Sequence, residues 1–402
     1  MRNSKLILLF TLIFALAAVL LFKVPALEAQ EVFKVAVVAP LSGPGAPWGE
    51  GMLRGLILAV DEVNAKGGMT VEGKKYKVEV IGYDDKYNAK FGVDAVNRAI
   101  FTDKVKFIFG SISSAVVVAF QAITEPNKIL VLADTYSPKI LGPDKPFTMR
   151  VVMSSAEIAP IMYKFLRQKY PEIKKVAILS PNDESGWAVT EHSVGAIKEV
   201  GGLEVVFNEF YERGTKDFYP LLTRILEKKP DLIDPSASAP GDLALILKQA
   251  RELGYKGMTM STPGQKAEVI AKQAGPGNAN GHMYPASVDL KVENPKVTAL
   301  KKAYQAKWAG ELDPITIAFY DPGRWLFIAI EKANSFDTAK VRDSLIAMEK
   351  DGSLTNVNGQ AKWGGMKTYG IDKHQIYGKL FLAQVQDEKE VIVHTVEAPE
   401  NP

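Results

Sequence analysis

Residues 33–68, FKVAVVAPLSGPGAPWGEGMLRGLILAVDEVNAKGG, hold the pattern that decides the fold. The short β-rich run Phe33–Ala39 stops at the Gly/Pro segment 40–47. Met52, Leu56, Ala59, Val60 and Val63 then recur at helical spacing until Gly67 and Gly68 end the turn. The same alternation continues downstream. Strands are expected at 78–81, 105–109 and 129–133, with helices at 91–101 and from Ser113–Ser114 to about Glu125. Strand–helix–strand repetition of this kind builds a parallel sheet covered on both faces.

The rhythm restarts after Arg150. Strands are expected at 176–179, 203–207, 232–233 and 258–260, and helices at 161–166, 188–200, 217–226 and 242–253. Helices at 295–308, 320–333 and 338–348 follow, then strands at 377–385 and 391–396. A chain of 402 residues exceeds what one core usually organises. The expected fold class is therefore α/β, with two doubly wound parallel-sheet (Rossmann-like) domains. No Pro/Gly/Ser-rich linker separates the halves, which suggests several short crossings between them. Ligands of open parallel sheets bind beyond the carboxyl ends of the strands, so two facing sheets define one site between them.

At the N-terminus, Arg2 and Lys5 precede an apolar run from Leu6 to Phe22 that only Thr11 interrupts, and small residues follow at Ala26 and Ala29. This is the pattern of a secretory signal over residues 1–29 with cleavage after Ala29. Its removal takes away Arg2, Lys5, Lys23 and Glu28, leaving 46 basic against 45 acidic residues and a net charge of +1. A near-neutral chain without a basic stripe predicts no nucleic-acid partner. Cysteine is absent, which excludes disulfides, thiolate metal sites, a cysteine nucleophile and lipid attachment at a cysteine. The expected location is the periplasm, reached by export and without a lipid anchor.

Enzyme constellations are missing. There is no GxxxxGK loop, no G-x-S-x-G elbow and no H-E-x-x-H pair. Gly43-Pro44-Gly45 leads to Trp48 where a dinucleotide loop needs glycine. His192, His282, His374 and His394 are scattered, so each reads as a surface or structural residue and no metal site or cofactor is expected. Asp84–Asp85, adjacent carboxylates after a strand, read as loop-orienting groups. The segments that suggest a ligand are others. Ser113 and Ser114 open a helix, where amides, hydroxyls and the helix dipole suit a carboxylate or serve only as a cap. Thr135 and Ser137 follow the next strand at the equivalent edge. Trp48 after the first strand, and Trp187 behind Glu184-Ser185-Gly186 in the second half, are candidate aromatic walls or packing residues.

These residues resemble a known family. Val35 to Pro44, Ala46 to Glu50, Ala59 to Gly68, Tyr83-Asp84-Asp85, Phe109 to Ser114, Lys248 to Gly254 and Tyr320-Asp321 look like the branched-chain amino-acid-binding proteins of ABC transporters, in the family's order over nearly the whole mature chain. The resemblance implies a type I periplasmic binding fold with a three-crossing hinge. It implies one lobe of residues 31–153 plus 287–366 and a second of 154–286 plus 367–402. It also implies a non-enzymatic monomer that closes on a small ligand and delivers it to a permease in the inner membrane. Ser114, Thr135 and Ser137 match the carboxylate-binding positions, and Trp48 the aromatic wall. The second lobe departs from the family. Ser185 replaces a common tyrosine, while Ser238-Ala239-Pro240 and Thr262-Pro263-Gly264 stand where amino-acid binders place the tyrosine and glutamate that hold the ammonium. The expected ligand is thus a small carboxylate with an apolar or aromatic body and no α-amino group, although Asp183 or Glu184 as substitute anions leave an amino acid open. Two rivals are a receptor of the same fold that signals instead of feeding a transporter, and a secreted hydrolase built on Asp84–Asp85.

Overall fold

The computed structural model describes residues 30–262, 267–291 and 294–399; the expected leader and the Pro263-Gly264 pair lie outside them. The strands in chain order are β1 (Glu31–Ala39), β2 (Met69–Val71), β3 (Lys74–Asp84), β4 (Phe107–Gly110), β5 (Leu130–Ala133), β6 (Thr148–Arg150), β7 (Lys175–Pro181), β8 (Glu204–Tyr211), β9 (Leu232–Asp234), β10 (Met258–Met260), β11 (His282–Ala286), the small hairpin β12 (Thr355–Asn356) and β13 (Gly359–Gln360), β14 (Lys362–Gly364), β15 (Gln375–Tyr377), β16 (Leu380–Gln386) and β17 (Lys389–Val396).

They form two large sheets. The first has the order β14-β15-β6-β5-β4-β1-β3-β2 and the second β17-β16-β11-β10-β9-β7-β8. The five strands β3-β1-β4-β5-β6 are mutually parallel, as are β8-β7-β9-β10-β11. Each lobe therefore repeats one doubly wound order. Its switch point lies between β1 and β4 in the first lobe and between β7 and β9 in the second, where a crevice opens at the carboxyl ends. Both sheets also carry antiparallel edge strands, so they are mixed rather than purely parallel.

The helices that matter are α1 (Ala46–Ala65), α2 (Ala89–Asn97), α3 (Ser114–Thr124), α4 (Ser155–Lys169), α5 (Glu184–Val200), α6 (Tyr219–Glu227), α7 (Pro240–Glu252), α8 (Ala267–Ala274), α9 (Pro295–Gln305), α10 (Pro314–Ala333) and α11 (Thr338–Ala347). Helix α10 returns to the first lobe and lies along α1. A side chain at Gly55 would place its Cβ 2.3 Å from the Thr316 carbonyl, so only glycine permits this approach. The apolar stripe of α1, with Met52, Leu56 and Ala59 fully buried, packs there against Phe319 and Leu326. Strand β1 sits at the centre of its sheet and buries Val35 to Ala39 completely, as a strand covered on both faces must.

The chain crosses between lobes after β6, after β11 and after β15. The third crossing differs from the expected boundary. Because β14 and β15 both pair within the first sheet, that lobe runs on to Tyr377 instead of ending at 366. The β-rich run read as one strand over 377–385 is thus two, divided at Gly378–Lys379 and belonging to different sheets.

Candidate ligand-binding site

The loops at the two switch points face each other. In the first lobe β1 leads through Pro40–Gly45 into α1, whose first turn carries Trp48, only 3% exposed and 6.4 Å in ring-centroid distance from Tyr87. Asp84 fixes this loop by accepting from the Leu41 amide at 2.9 Å and the Ser42 hydroxyl at 2.6 Å. Asp85 accepts from the Ser111 hydroxyl at 2.6 Å and the Tyr87 amide at 2.7 Å, and burial pushes its carboxyl up to about 6. The aspartate pair therefore braces loops, the reading that its place after a strand favoured.

Beyond β4, Ser113 is the extended residue before α3, and its buried hydroxyl has no hydrogen-bond partner among the described residues. The Ser114 hydroxyl meets that of Thr135 and accepts from the Tyr136 and Ser137 amides at 3.3 and 3.1 Å. Ser113, Ser114, Thr135 and Ser137 are thus brought together at the N-terminus of α3, all fully buried. Second-lobe groups reach this cluster. Ser185 accepts from the Ser114 amide at 3.1 Å, and Glu184 takes the Ser137 hydroxyl at 2.7 Å and the Lys139 ammonium at 2.8 Å. A carboxylate therefore already sits against Ser137 and Lys139, and the lobes are closed on one another.

The second lobe commits its other charges internally. Asp183 caps α5 through the Ser185 and Gly186 amides, each at 3.0 Å, and pairs with Arg213 at 2.5 Å. Arg213 also donates to the Ala237 carbonyl at 3.0 Å and stacks over Tyr87 of the first lobe at 4.0 Å. Ser238 takes the Tyr211 hydroxyl at 2.8 Å. Trp187 is not brought to the site: it is 47% exposed and its indole N–H bonds Asn182 in its own loop at 3.1 Å. Gly186 explains the outward turn. Its Cβ position lies 1.9 Å from the Pro181 carbonyl, so that face of α5 presses on the strand end and the next residue points away.

A cavity of about 180 Å³ opens on the hinge side of Trp48. Trp48, Ile112, Tyr136, Ile315 and Met153 give it an apolar wall, and the crossing residues Ser287 and Gly378 lie at its hinge end. Asp134 lines it too. Thr135 and Ser137 turn to the hydroxyl cluster while Asp134 and Tyr136 turn to the cavity, the alternation of an extended segment. Sequence reading took one face of this segment and missed the other, although the period of two was available to reveal it.

Histidines play structural parts. His282 is buried between the hydroxyls of Thr259 and Ser261, each at 3.0 Å, and burial lowers it to about 3. His192 bonds Ser155 at 2.7 Å, and His394 stacks on Phe165. Among the described residues no group of acidic and histidine side chains has metal-site geometry, and no helix is long and apolar enough to cross a membrane.

Two lobes of one winding order, joined by three crossings with facing switch points, define a type I periplasmic binding fold. The chain belongs to the periplasmic binding protein family, whose profile matches residues 32–390. It is 25% identical over 348 residues to the leucine-, isoleucine-, valine-, threonine- and alanine-binding protein of Pseudomonas aeruginosa, covering 86% of this chain and 90% of that one. In structure it is similar to a leucine-binding protein of Thermotoga maritima, with a TM-score of 0.78, 23% identity and coverage of 91% and 99%. A solute-binding protein of R. palustris in complex with benzoate also gives 0.78, at 18% identity and coverage of 92% and 97%.

Proposed function

We propose that this protein is the periplasmic solute-binding component of an ABC importer, and that it captures a small carboxylate with an apolar or aromatic body between its lobes. The observations that carry this reading are an apolar cavity behind Trp48 that reaches Ile112, and in the next residues the hydroxyls and amides at the start of α3, where Ser113 keeps a buried hydroxyl with no partner among the described residues. Carboxylates favour such a helix start, since amides point outward and the dipole is positive there. Glu184 supports the polarity of the site by placing a carboxylate against Ser137 and Lys139.

Binding needs no covalent step. In an open form Glu184 has withdrawn from Ser137 and Lys139, so the ligand carboxylate engages the first lobe there and the apolar body fills the cavity. Closure then adds second-lobe contacts that exist only in the closed state, so the ligand shifts the population towards it. The closed monomer is the form the permease receives.

Isothermal titration of protein stripped of co-purifying ligand by unfolding and refolding tests this. Benzoate and 4-methylpentanoate are expected to bind, leucine more weakly, and Ser114→Val to weaken the acids at least about tenfold. Equal binding of toluene and benzoate would remove the carboxylate from the proposal.

A further inference from the structure

We infer that the hinge itself measures the ligand: the inner end of the apolar body rests against the three crossings, and its length decides whether the lobes can shut. The inference rests on the function proposed above and adds the residues that set the ligand's size, Met153 foremost.

Each crossing passes from one core to the other within a few residues. In the first, Val151 belongs to the first-lobe core and Met153 packs on the second-lobe core, so the chain pivots at Val152. In the second, Ala286 belongs to a second-lobe cluster and Val288 to a first-lobe one, with Ser287 between them. In the third, Ile376 stands in the first-lobe core and Leu380 in the second, on either side of Tyr377, Gly378 and Lys379. Every one of these pivots lines the cavity behind Trp48, and so does Met153. The pivots are also held in place. Gln375, just before the third crossing, donates to the Val152 carbonyl at 2.8 Å, and Asn358 of the first lobe donates to the Ser287 carbonyl at 2.6 Å. The hinge end of the cavity is therefore a braced wall, and a molecule that fills the cavity bears on all three crossings at once.

The remaining walls come from both lobes, Trp48 and Ile112 from the first, Ile158 of α4 and Tyr284 of β11 from the second. Rotation about the pivots thus changes the width of the cavity. A body seated beside the rotation axis has a short lever arm, so a small excess there becomes a large gap at the far edge of the cleft. Strands β3 and β8 lie at that edge, away from β6 and β11 in their sheets, and the residues that follow them, Tyr87 and Arg213, stack across the lobes at 4.0 Å. That stack and the bond from Ser137 to Glu184 at 2.7 Å exist only at close range. At about 180 Å³ the cavity has room for one ring, since an apolar cavity of ~150 Å³ accepts benzene. Walls packed to core density do not yield to more. A one-ring acid therefore permits closure, while an acid with a chain beyond its ring holds the lobes apart.

The test compares the complexes with benzoate and 4-butylbenzoate by solution scattering, each at a saturating concentration set by titration calorimetry. Wild type is expected to keep a larger radius of gyration with 4-butylbenzoate than with benzoate. Met153→Ala, which shortens the wall at the first crossing, is expected to bring the 4-butylbenzoate radius down to the benzoate value. Closure is the readout because the added chain buries apolar surface in an open form as well, which raises affinity without shutting the lobes. Met153→Phe is the converse and carries the test if the alanine variant does not fold: benzoate itself is then expected to leave the larger radius. Equal radii for the two acids in wild type overturn the inference and leave the proposed function standing, as does a difference that neither substitution moves. Binding of benzoate without 4-butylbenzoate supports the inference if Met153→Ala admits the longer acid in a closed form, and overturns it otherwise. Failure of wild type to bind either acid overturns the proposed function and the inference together.

Discussion

The two lobes share one strand order, yet the groups at their switch points are in opposite states. In the first lobe the Ser113 hydroxyl and the Asp134 carboxylate have no hydrogen-bond partner among the described residues, and Asp134 lines the cavity. In the second, Asp183, Arg213 and Ser238 are bonded to neighbours within the lobe. The winding order fixes where loops converge; what they do depends on whether their polar atoms are already satisfied. Under the proposed function this contrast assigns ligand reading to the first lobe and closure to the second, and each substitution below tests one side of that division.

The largest effect is expected at Arg213. Arg213→Met removes the partner of Asp183, the bond to the Ala237 carbonyl and the stack on Tyr87. Breaking a fully buried pair costs ~3–5 kcal/mol; with side-chain exposures of 16% and 21%, about 2–3 kcal/mol is expected in urea unfolding. A loss below about 0.5 kcal/mol would show that the second lobe is not organised by this pair.

Asp134 gives the next effect, with a definite sign. Its folded value, near 7, lies above the ordinary aspartate value because burial outweighs the field of Arg150. Arg150 on β6 and the neighbouring Tyr136 phenol are the ionisable groups coupled to it. A carboxyl raised on folding leaves the protein most stable below the unfolded value near 3.9, and stability falls as pH rises towards 7. Asp134→Leu removes that penalty, so without ligand the variant is expected to gain about 2 kcal/mol on wild type between pH 5 and pH 8. Asp85 and Asp321, each pushed up to about 6, add a similar slope to both proteins and cancel in the difference. A gap that does not change with pH would place the Asp134 carboxyl in contact with solvent.

The contrast between lobes also explains what the sequence could tell. The parallel strands were legible because burial on both faces forces continuous apolar runs, as in Val35 to Ala39. The clustering of Ser114, Thr135 and Ser137 was legible because each follows a strand at the same sheet edge. Strand β11 escaped, since His282 and Pro285 break the apolar run although all five residues are buried. The third crossing escaped because only Gly378–Lys379 separates two strands of different sheets. Asp134 is the instructive omission. Residue type alone assigns an aspartate after a strand to a loop, and only the cavity on its side reveals that nothing pairs with it.

A smaller effect is expected at the contact between lobes. Glu184→Gln weakens the bonds to Ser137 and Lys139, of which the lysine is 64% exposed, so about 1 kcal/mol of closure is at stake. That corresponds to roughly a fivefold rise in the open form, read as a larger radius of gyration by solution scattering without ligand. An unchanged radius would assign closure to Arg213 and Ser185 instead.

The smallest effect separates the two tryptophans at corresponding places in the lobes. Trp48 is buried and walls the cavity, whereas Trp187 is half-exposed and tied to Asn182. Trp187→Ala should change stability by no more than about 0.5 kcal/mol, as for an exposed side chain with one solvent-facing bond, and should leave the affinity for benzoate within twofold. Since α5 is pressed onto the Pro181 carbonyl at Gly186, modest lobe motion cannot rotate the next side chain inward without unseating the helix start that Asp183 caps. A fivefold or larger loss of benzoate affinity would therefore require α5 to reset in the bound state, and the second lobe would then read the ligand as well as close over it.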